Sequence, residues 1–428
     1  MRVFKFGGAS VSNALGVKNI CQIIHRNQHT RLGVVVSAMG KVTNHFERVL
    51  ELYGESNDEY VLALNDIFDF HRQVVGDLLD ISSDEEGFEE LRFRESGILN
   101  TITTFQNQVE EILKNNSSAS YSFLYDQVVS YGELLSTNII HSYLDSYPCE
   151  PVLLDARAII RTDSSYRNAT VNWGQTIKAF KEYRNNSLMI TQGFIGGSVD
   201  GPTTTLGREG SDYSAAIMAY CLDAVDVTIW KDVPGVLNAD PRKFENTRLL
   251  NKIPYEEAIE LAFYGASVIH PKTLQPLQDK AIILNVKSYK DPETEGTSIA
   301  NYPQLEPLLS CYILRENMVY LSISSKDFSF IGERNISEIF HLLSVHKMQV
   351  GLLQNSAISF QLCIEDKYAL IDHLLRDLSV RFLVTSSRDV ILYTTRHPYP
   401  DHQDPYLENK TVLLRQSTSE TLQVIIKN

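Results

Sequence analysis

The stretch from Gly193 to Asp212, GFIGGSVDGPTTTLGREGSD, crowds glycines, three successive threonines, Arg208 and Asp212 between two apolar segments. Together these residue types suit an anion. Glycines let the backbone approach a phosphate or carboxylate closely, hydroxyls donate hydrogen bonds, and Arg208 offers a planar two-pronged donor; Asp212 can hold a metal ion or orient a donor. A second cluster, Lys5-Phe6-Gly7-Gly8-Ala9-Ser10, directly follows a short apolar run. Its N–H groups and lysine can meet a nucleotide's phosphates, or it is an ordinary glycine turn with a solvated lysine; it is not a Walker A sequence. Phosphoryl transfer needs such donors, aimed at charge as it develops.

Other residues suit the second reactant of such a transfer. Val34 to Gly40, VVVSAMG, is a strand running into a small-residue turn, with Ser37 and Thr43 available to a carboxylate. Glu133, in SYGELLS, either recognises a substrate ammonium or is a helix surface residue. Trp230 to Val236, WKDVPGV, with Asn238 to Arg242 beyond it, either shapes a nucleotide pocket or is a Pro and Gly turn. His270 precedes a proline, where a structural hydrogen bond is the better reading than chemistry. His397, Asp401, His402 and Asp404 lack a recognised metal-ligand spacing and read as a solvated loop.

These groups need elements to hold them. The first forty residues read strand, glycine turn, helix, strand: Arg2 to Phe6 is extended, Val17, Ile20, Cys21 and Ile24 share one helical face, and Leu32 to Val36 is a buried strand. From about 43 to 146 the pattern is helical and charged, as in a lid or substrate wall. Strands at Leu188 to Ile190, Val225 to Trp230 and Ile282 to Val286, with helices at Asp212 to Cys221 and Tyr255 to Tyr264, then predict a parallel sheet covered on both faces. The candidate loops follow strands, at the carboxyl ends where open α/β sheets bind ligands.

The segment ANYPQLEP reads as a linker into a separate region. Beyond it come strand Val319 to Ser324, helix Ile336 to His346, strands Gln349 to Leu353 and Ile358 to Ile364, helix Tyr368 to Asp377 and strand Arg381 to Thr385, a ferredoxin-like βαββαβ order. A strand at Val390 to Thr394 and a hairpin of Thr411 to Arg415 with Leu422 to Ile426 follow.

At 428 residues the chain exceeds one core at roughly 150 residues per domain. A net charge of −14 and a pI near 5.3 argue against nucleic acid or an anionic membrane surface as partner. The start, MRVFKFGG, lacks the apolar core of a signal peptide and no run is long enough to span a bilayer, so a cytoplasmic protein is expected. Five scattered cysteines with no CxxC pair predict reduced core residues, neither zinc site nor disulfide framework.

In order, KFGGAS, VVVSAMG, SYGELLST, QGFIG, TTTLGREGSDYSA, IWKDVPGVLNADPR, YGASVIHP and YKDPETEGT resemble the motifs of aspartate kinases, in the amino acid kinase superfamily, over about Val3 to Ser298. The C-terminal βαββαβ resembles the ACT regulatory domains of that family. The resemblance implies an α/β three-layer sandwich with a mainly parallel sheet at 1–300, a ferredoxin-like α+β ACT domain at 312–388 and a truncated second ACT unit at 389–428. It implies transfer of the ATP γ-phosphoryl group to the side-chain carboxylate of L-aspartate, with Mg²⁺, as the first step toward lysine, threonine and methionine. Lys5 and Asp212 would be catalytic. Arg208, Ser37, Thr43 and Glu133 would bind aspartate, and Lys5, Gly7, Gly8, Ser10, Lys231, Asp232 and Arg242 would bind ATP. A homodimer paired through the ACT region is implied as well.

The sequence departs from the family pattern at Ala9, usually threonine, at Glu209, usually glycine, at Leu237, usually tyrosine, and at Ser267, usually lysine. Asn335 and Ser356-Ala357 replace the effector-region glycine and Ser-Glu pair, so inhibition by lysine or threonine is expected to be weakened, altered or absent. The alternatives are an amino acid kinase acting on glutamate or N-acetylglutamate, and a catalytically weak amino-acid sensor.

Overall fold

The computed structural model describes residues 1–82, 95–116, 118–266, 269–327, 329–399 and 405–427. It divides into a first unit, Met1–Val236, Leu249–Ile259 and Val268–Gln304, and a second, Leu237–Arg248, Glu260–Ser267 and Leu305–Asn428.

The first unit opens with β1 (Arg2–Phe6), whose side chains are nearly all buried, then a short 3-10 turn, Gly8–Val11. Helix α1 (Ala14–Arg26) starts where the Asn13 side chain accepts the Gly16 N–H, and it buries Val17, Ile20, Cys21 and Ile24. The fully buried β2 (Leu32–Val36) completes the βαβ unit. The helical excursion comprises α2 (Val42–Gly54), α3 (Glu59–Ser82), α4 (Glu95–Asn115), α5 (Tyr121–Val129) and α6 (Tyr131–Leu144). Alternation then resumes with β3 (Val152–Leu154), α7 (Ala156–Ile159), β4 (Arg161–Thr162), α8 (Trp173–Phe180), β5 (Leu188–Gln192), β6 (Ile195–Ser198), β7 (Thr203–Thr205), α9 (Gly210–Cys221) and β8 (Asp226–Lys231). Next come β9 (Lys252–Pro254), α10 (Tyr255–Tyr264), α11 (Pro271–Asp279), β10 (Ile283–Ser288) and β11 (Thr297–Ala300).

Eight of these strands form one sheet in the order β3-β5-β2-β1-β8-β10-β11-β9, parallel except where β11 meets β10. Helices cover both faces: α6 packs on β2 and β5, and α9 on β1, β2 and β8. Parallel strands buried on both sides require apolar residues at successive positions, which Leu32 to Val36 supplies. All five cysteines are buried.

The second unit contains β12 (Cys311–Ser325), α12 (Glu333–Val345), β13 (Gln349–Asn355), β14 (Ser359–Glu365), α13 (Ile371–Arg381), β15 (Phe382–Arg396), β16 (Thr411–Ser417) and β17 (Thr421–Lys427). Its sheet runs β13-β14-β12-β15-β17-β16, antiparallel throughout, and its first four strands have the ferredoxin-like order. One expectation changes here. The strands expected separately at 381–385 and 390–394 are one, β15, which continues past a left-handed Asp389 and pairs with β12 along nearly its whole length. The hairpin β16–β17 is therefore added to the edge of the same sheet. Asp401, His402 and Asp404 lie outside the described residues.

Candidate active site

The carboxyl ends of β1, β2, β5 and β8 lie side by side, and a cavity of about 600 Å³ opens there. Lys5, next to last on β1, sends its ammonium to 2.7 Å from Asp212 Oδ1 in the first turn of α9. The contact is an ion pair, and beyond it the buried Oδ1 has no hydrogen-bond partner. The Lys5 ammonium also lies over Gly7, 3.4 Å from where a Cβ would stand. Gly8 must be glycine because a Cβ would meet the carbonyl oxygens of Gly40 and Ala38 at 2.7 and 2.8 Å.

The run from Gly193 to Asp212 resolves into parts. Gly193 lets β5 pass Ser211, whose Cβ would be 2.6 Å from a Gly193 Cβ. Ile195 to Thr205 is a hairpin, β6–β7, joined to β4. The three threonines are buried on β7: Thr204 Oγ1 meets Thr162 Oγ1 at 2.7 Å and Thr205 Oγ1 donates to Asp126 at 2.8 Å. They are structural here, contrary to the expectation that they face an anion. The residues that line the cavity are Phe194 and the turn Gly207 to Asp212, including Arg208.

Ser37, Thr43 and Glu133 line the same cavity. Helix α6 is stitched to the end of β2, where Ser136 Oγ donates to the Ser37 carbonyl at 2.7 Å and the Ala38 N–H reaches Glu133 Oε1 at 3.4 Å. Gly132 allows that approach, since a Cβ there would crowd Ala38 and Val42 at 3.0 and 3.2 Å. Glu133 is thus no surface residue. It is buried with Oε2 unpartnered, and burial pushes its carboxyl up to about 8, opposed by the Ala38 N–H and the Lys5 charge. A ligand ammonium would satisfy it.

Sequence reading missed Tyr125, Arg167 and Phe194, which also line the cavity. The Arg167 guanidinium lies over the rings of Tyr125 and Tyr121, at 4.6 and 5.4 Å, and Tyr125 donates to Glu47 at 2.8 Å. Arg167 sits at φ 71°, held by its N–H to the buried carboxylate of Asp126 at 3.0 Å. Asp126 accepts the Thr205 N–H as well, and burial holds its carboxyl above the usual range. No local pattern in the sequence marks Tyr125 and Arg167, because the contacts that place them are long-range: Asp126, next to Tyr125, binds Arg167 from 41 positions away and Thr205 from 79.

Of the other candidates, Lys231 lines the cavity at the end of β8 and Asp232 follows it, exposed. Ser10 is buried, its hydroxyl donating to the Gly7 carbonyl at 2.6 Å, so it shapes the glycine turn. Arg242 belongs to the second unit, exposed and paired with Asp240. Ala9 is in the 3-10 turn, Leu237 opens the second unit and Ser267 lies outside the described residues. His270 caps α11, its Nδ1 accepting the Lys272 N–H at 3.2 Å.

Four cations, Lys5, Arg167, Arg208 and Lys231, face three carboxylates, Glu133, Glu209 and Asp212. Among the described residues no group of three or more His, Cys, Asp or Glu could hold a metal ion. The Asp212 carboxylate, which makes no contact at Oδ1 beyond the Lys5 ion pair, instead fits Mg²⁺ carried by a nucleotide, which takes one or two carboxylates plus phosphate oxygens.

A mainly parallel sheet between helix layers, with a cavity over its carboxyl ends whose cations suit a phosphate or carboxylate, defines a small-molecule phosphotransferase, and the amino acid kinase family model matches residues 1–287. The chain is 32% identical to the lysine-sensitive aspartokinase 3 of Escherichia coli (strain K12) over 85% of its own length and 78% of the relative's. It is similar to the structure of E. coli aspartokinase III in complex with aspartate and ADP, R-state, with a TM-score of 0.81 and 28% identity over 100% of this chain and 96% of the other. The T-state of the same enzyme, with lysine and aspartate, gives 0.80 and 28% over 99% and 95%. The chain belongs to the amino acid kinase family and, within it, to the aspartokinases. Among the described residues no helix is long and apolar enough to cross a membrane.

Proposed function

We infer that the chain transfers the γ-phosphoryl group of ATP to the β-carboxylate of L-aspartate, giving 4-phospho-L-aspartate, the step that opens lysine, threonine and methionine biosynthesis. The observation that carries this reading is the pairing of Lys5 with Asp212 in a cavity that also holds Arg208 and Glu133, whose Oε2 has no partner. A carboxylate is already a nucleophile, so no general base is needed. Catalysis is positioning and charge neutralisation.

In this reading Arg208 clamps the α-carboxylate with Ser37 and Thr43, and Glu133 takes the ammonium. Lys5 neutralises charge on the transferring group, while Gly7, Gly8 and Lys231 receive the nucleotide's phosphates. Asp232 adds to the nucleotide contacts, and Ser10 supports them by holding Gly7. Mg²⁺ bound with ATP supplies further neutralisation, and Asp212 is the carboxylate that would hold it. Arg167, stacked on Tyr125, adds a second guanidinium to the amino-acid side.

The catalytic domain is 1–300, with an ACT domain at 312–388 and a truncated ACT unit at 389–428. Two copies pair through this C-terminal region, in the cytoplasm. Asn335 and Ser356-Ala357 leave the response to lysine or threonine weakened, altered or absent.

The direct test incubates the purified protein with ATP, Mg²⁺, aspartate and hydroxylamine, which traps the acyl phosphate as a hydroxamate. Aspartyl hydroxamate is expected, with none from glutamate or N-acetylglutamate; no product above background with aspartate refutes the reading. Strong inhibition by lysine, undiminished from that of a lysine-sensitive aspartokinase, would refute the regulatory part.

A further inference from the structure

Glu209 occupies a position where few side chains belong. It precedes α9 with φ 51° and ψ 31°, the left-handed region that glycine enters without steric cost. A glutamate there needs a compensating contact. Its Oε2 accepts the His270 N–H at 2.9 Å, so the carboxylate lies at the amino end of α11, where the helix dipole favours negative charge. Although it lines the cavity, this acid is engaged by α11.

A second bond joins the same two segments. Lys272, in the first turn of α11, donates from Nζ to the Leu206 carbonyl at 3.1 Å and to Asn168 at 3.3 Å, and lies 4.9 Å from the Tyr213 ring centroid. The turn is thus fastened to α11 before Arg208, at Leu206, and after it, at Glu209. Between the two bonds stands Arg208, whose guanidinium has no hydrogen bond or ion pair among the described residues. Three residues beyond Glu209 is Asp212, paired with Lys5.

We propose that Glu209 is a positioning residue: by binding the His270 N–H it fixes the Arg208–Asp212 turn against α11, so that Arg208 meets the substrate carboxylate and Asp212 meets Lys5. The proposal rests on the reading of Arg208 as the aspartate clamp. It turns the departure from glycine into a device, a tie that glycine cannot make.

Three variants separate tie, charge and backbone. Glu209→Ala loses the tie and keeps a side chain at positive φ; Glu209→Gly loses the tie and relieves the backbone; Glu209→Gln keeps an acceptor for the His270 N–H and loses the charge. Both Glu209→Ala and Glu209→Gly are expected to lower kcat/KM for aspartate about tenfold to a hundredfold, as loss of orientation does, with KM for ATP moving much less. Glu209→Gln should stay within about threefold of the parent, as the surviving hydrogen bond implies. Glu209→Gly should melt no lower than Glu209→Ala while being equally impaired, which separates positioning from folding. Amide hydrogen exchange at His270 provides a readout without turnover: protected in the parent and Glu209→Gln, faster in the other two.

Parent-like kcat/KM in Glu209→Ala or Glu209→Gly, or an unchanged His270 exchange rate in Glu209→Ala, overturns the proposal. Loss in Glu209→Gln equal to that in Glu209→Ala overturns it in favour of a charge effect. A parent that forms no aspartyl hydroxamate overturns the reading of the site and this inference with it, whereas an active parent with fully active variants overturns the inference alone.

Discussion

Lys5 and Asp212, 207 positions apart in sequence, meet at 2.7 Å with both side chains nearly buried, one on the central strand and the other in the first turn of α9. The helix amino terminus supports the carboxylate when the lysine is removed. Lys5→Ala should therefore fold, with a lower melting temperature, and lose about 10²–10³ in kcat, the usual loss when a donor aimed at developing charge is deleted. Asp212→Asn keeps the shape and removes the charge, so the rate should need several-fold more Mg²⁺ for half-saturation. Titrating the hydroxamate rate with Mg²⁺ checks this, and an unchanged half-saturation point counts against Asp212 as the metal carboxylate.

Glu133 makes a pH prediction whose sign follows from burial. Its folded value, about 8, lies above its ordinary 4.5, so in the ligand-free protein it holds a proton at neutral pH. An ammonium binds the ionised form, so kcat/KM for aspartate should rise with pH and level off above about 8. Across the window from 4.5 to about 8 the folded chain binds a proton that the unfolded chain has lost, so this group makes the ligand-free protein less stable as pH rises. Glu133→Gln should flatten both profiles and raise the aspartate KM at least tenfold, the scale of a lost charged hydrogen bond. A rising kcat/KM profile that survives in Glu133→Gln would assign the titration elsewhere.

What the sequence reveals of this site divides by range. Strand-to-helix turns such as Lys5 to Ser10 and Val34 to Gly40 are local, and their place at strand ends follows from apolar runs of the right length. The run from Gly193 to Asp212 shows where that reasoning stops. Its composition suggests that freedom lies in the glycines and donor strength in the threonines. In the fold the left-handed residues include Phe194 and Glu209, Gly193 is required by the approach of Ser211, and Thr204 and Thr205 bind Thr162 and Asp126. Partners fixed by tertiary contact decide which role a polar residue takes. Arg167 and Tyr125 stayed hidden for the same reason, and in the second unit β15 runs through a position where the pattern suggests a break.

Asp126 never reaches the cavity yet shapes it, through the Arg167 N–H at 3.0 Å and the Thr205 N–H at 2.9 Å. Asp126→Ala leaves the Arg167 N–H and both the N–H and the hydroxyl of buried Thr205 without their acceptor, at about 1–3 kcal/mol for each buried group, so the melting temperature should fall by several degrees. Arg167 would then lose its fixed place beside Tyr125, and the aspartate KM should rise with little change in KM for ATP. Thermal melts and the two KM values are the checks. Equal loss on both substrates would mean that Asp126 supports the whole unit and not the amino-acid wall.

Gly8 tests the nucleotide side by backbone geometry alone. An alanine Cβ would stand 2.7 Å from the Gly40 carbonyl oxygen and 2.8 Å from that of Ala38, too close for either backbone to tolerate without moving. The Gly40 N–H also bonds the Gly8 carbonyl at 2.9 Å, so the 3-10 turn after β1 and the turn after β2 must separate together. Because Ser37 and Thr43 flank the second turn, Gly8→Ala should raise KM for both ATP and aspartate and lower kcat, in contrast to the one-sided effect of Asp126→Ala. The cost should be about 1–3 kcal/mol in stability, the range for overpacking. A Gly8→Ala protein with the parent's melting temperature and both KM values would show that the two turns are not held as closely as the 2.7 Å approach requires.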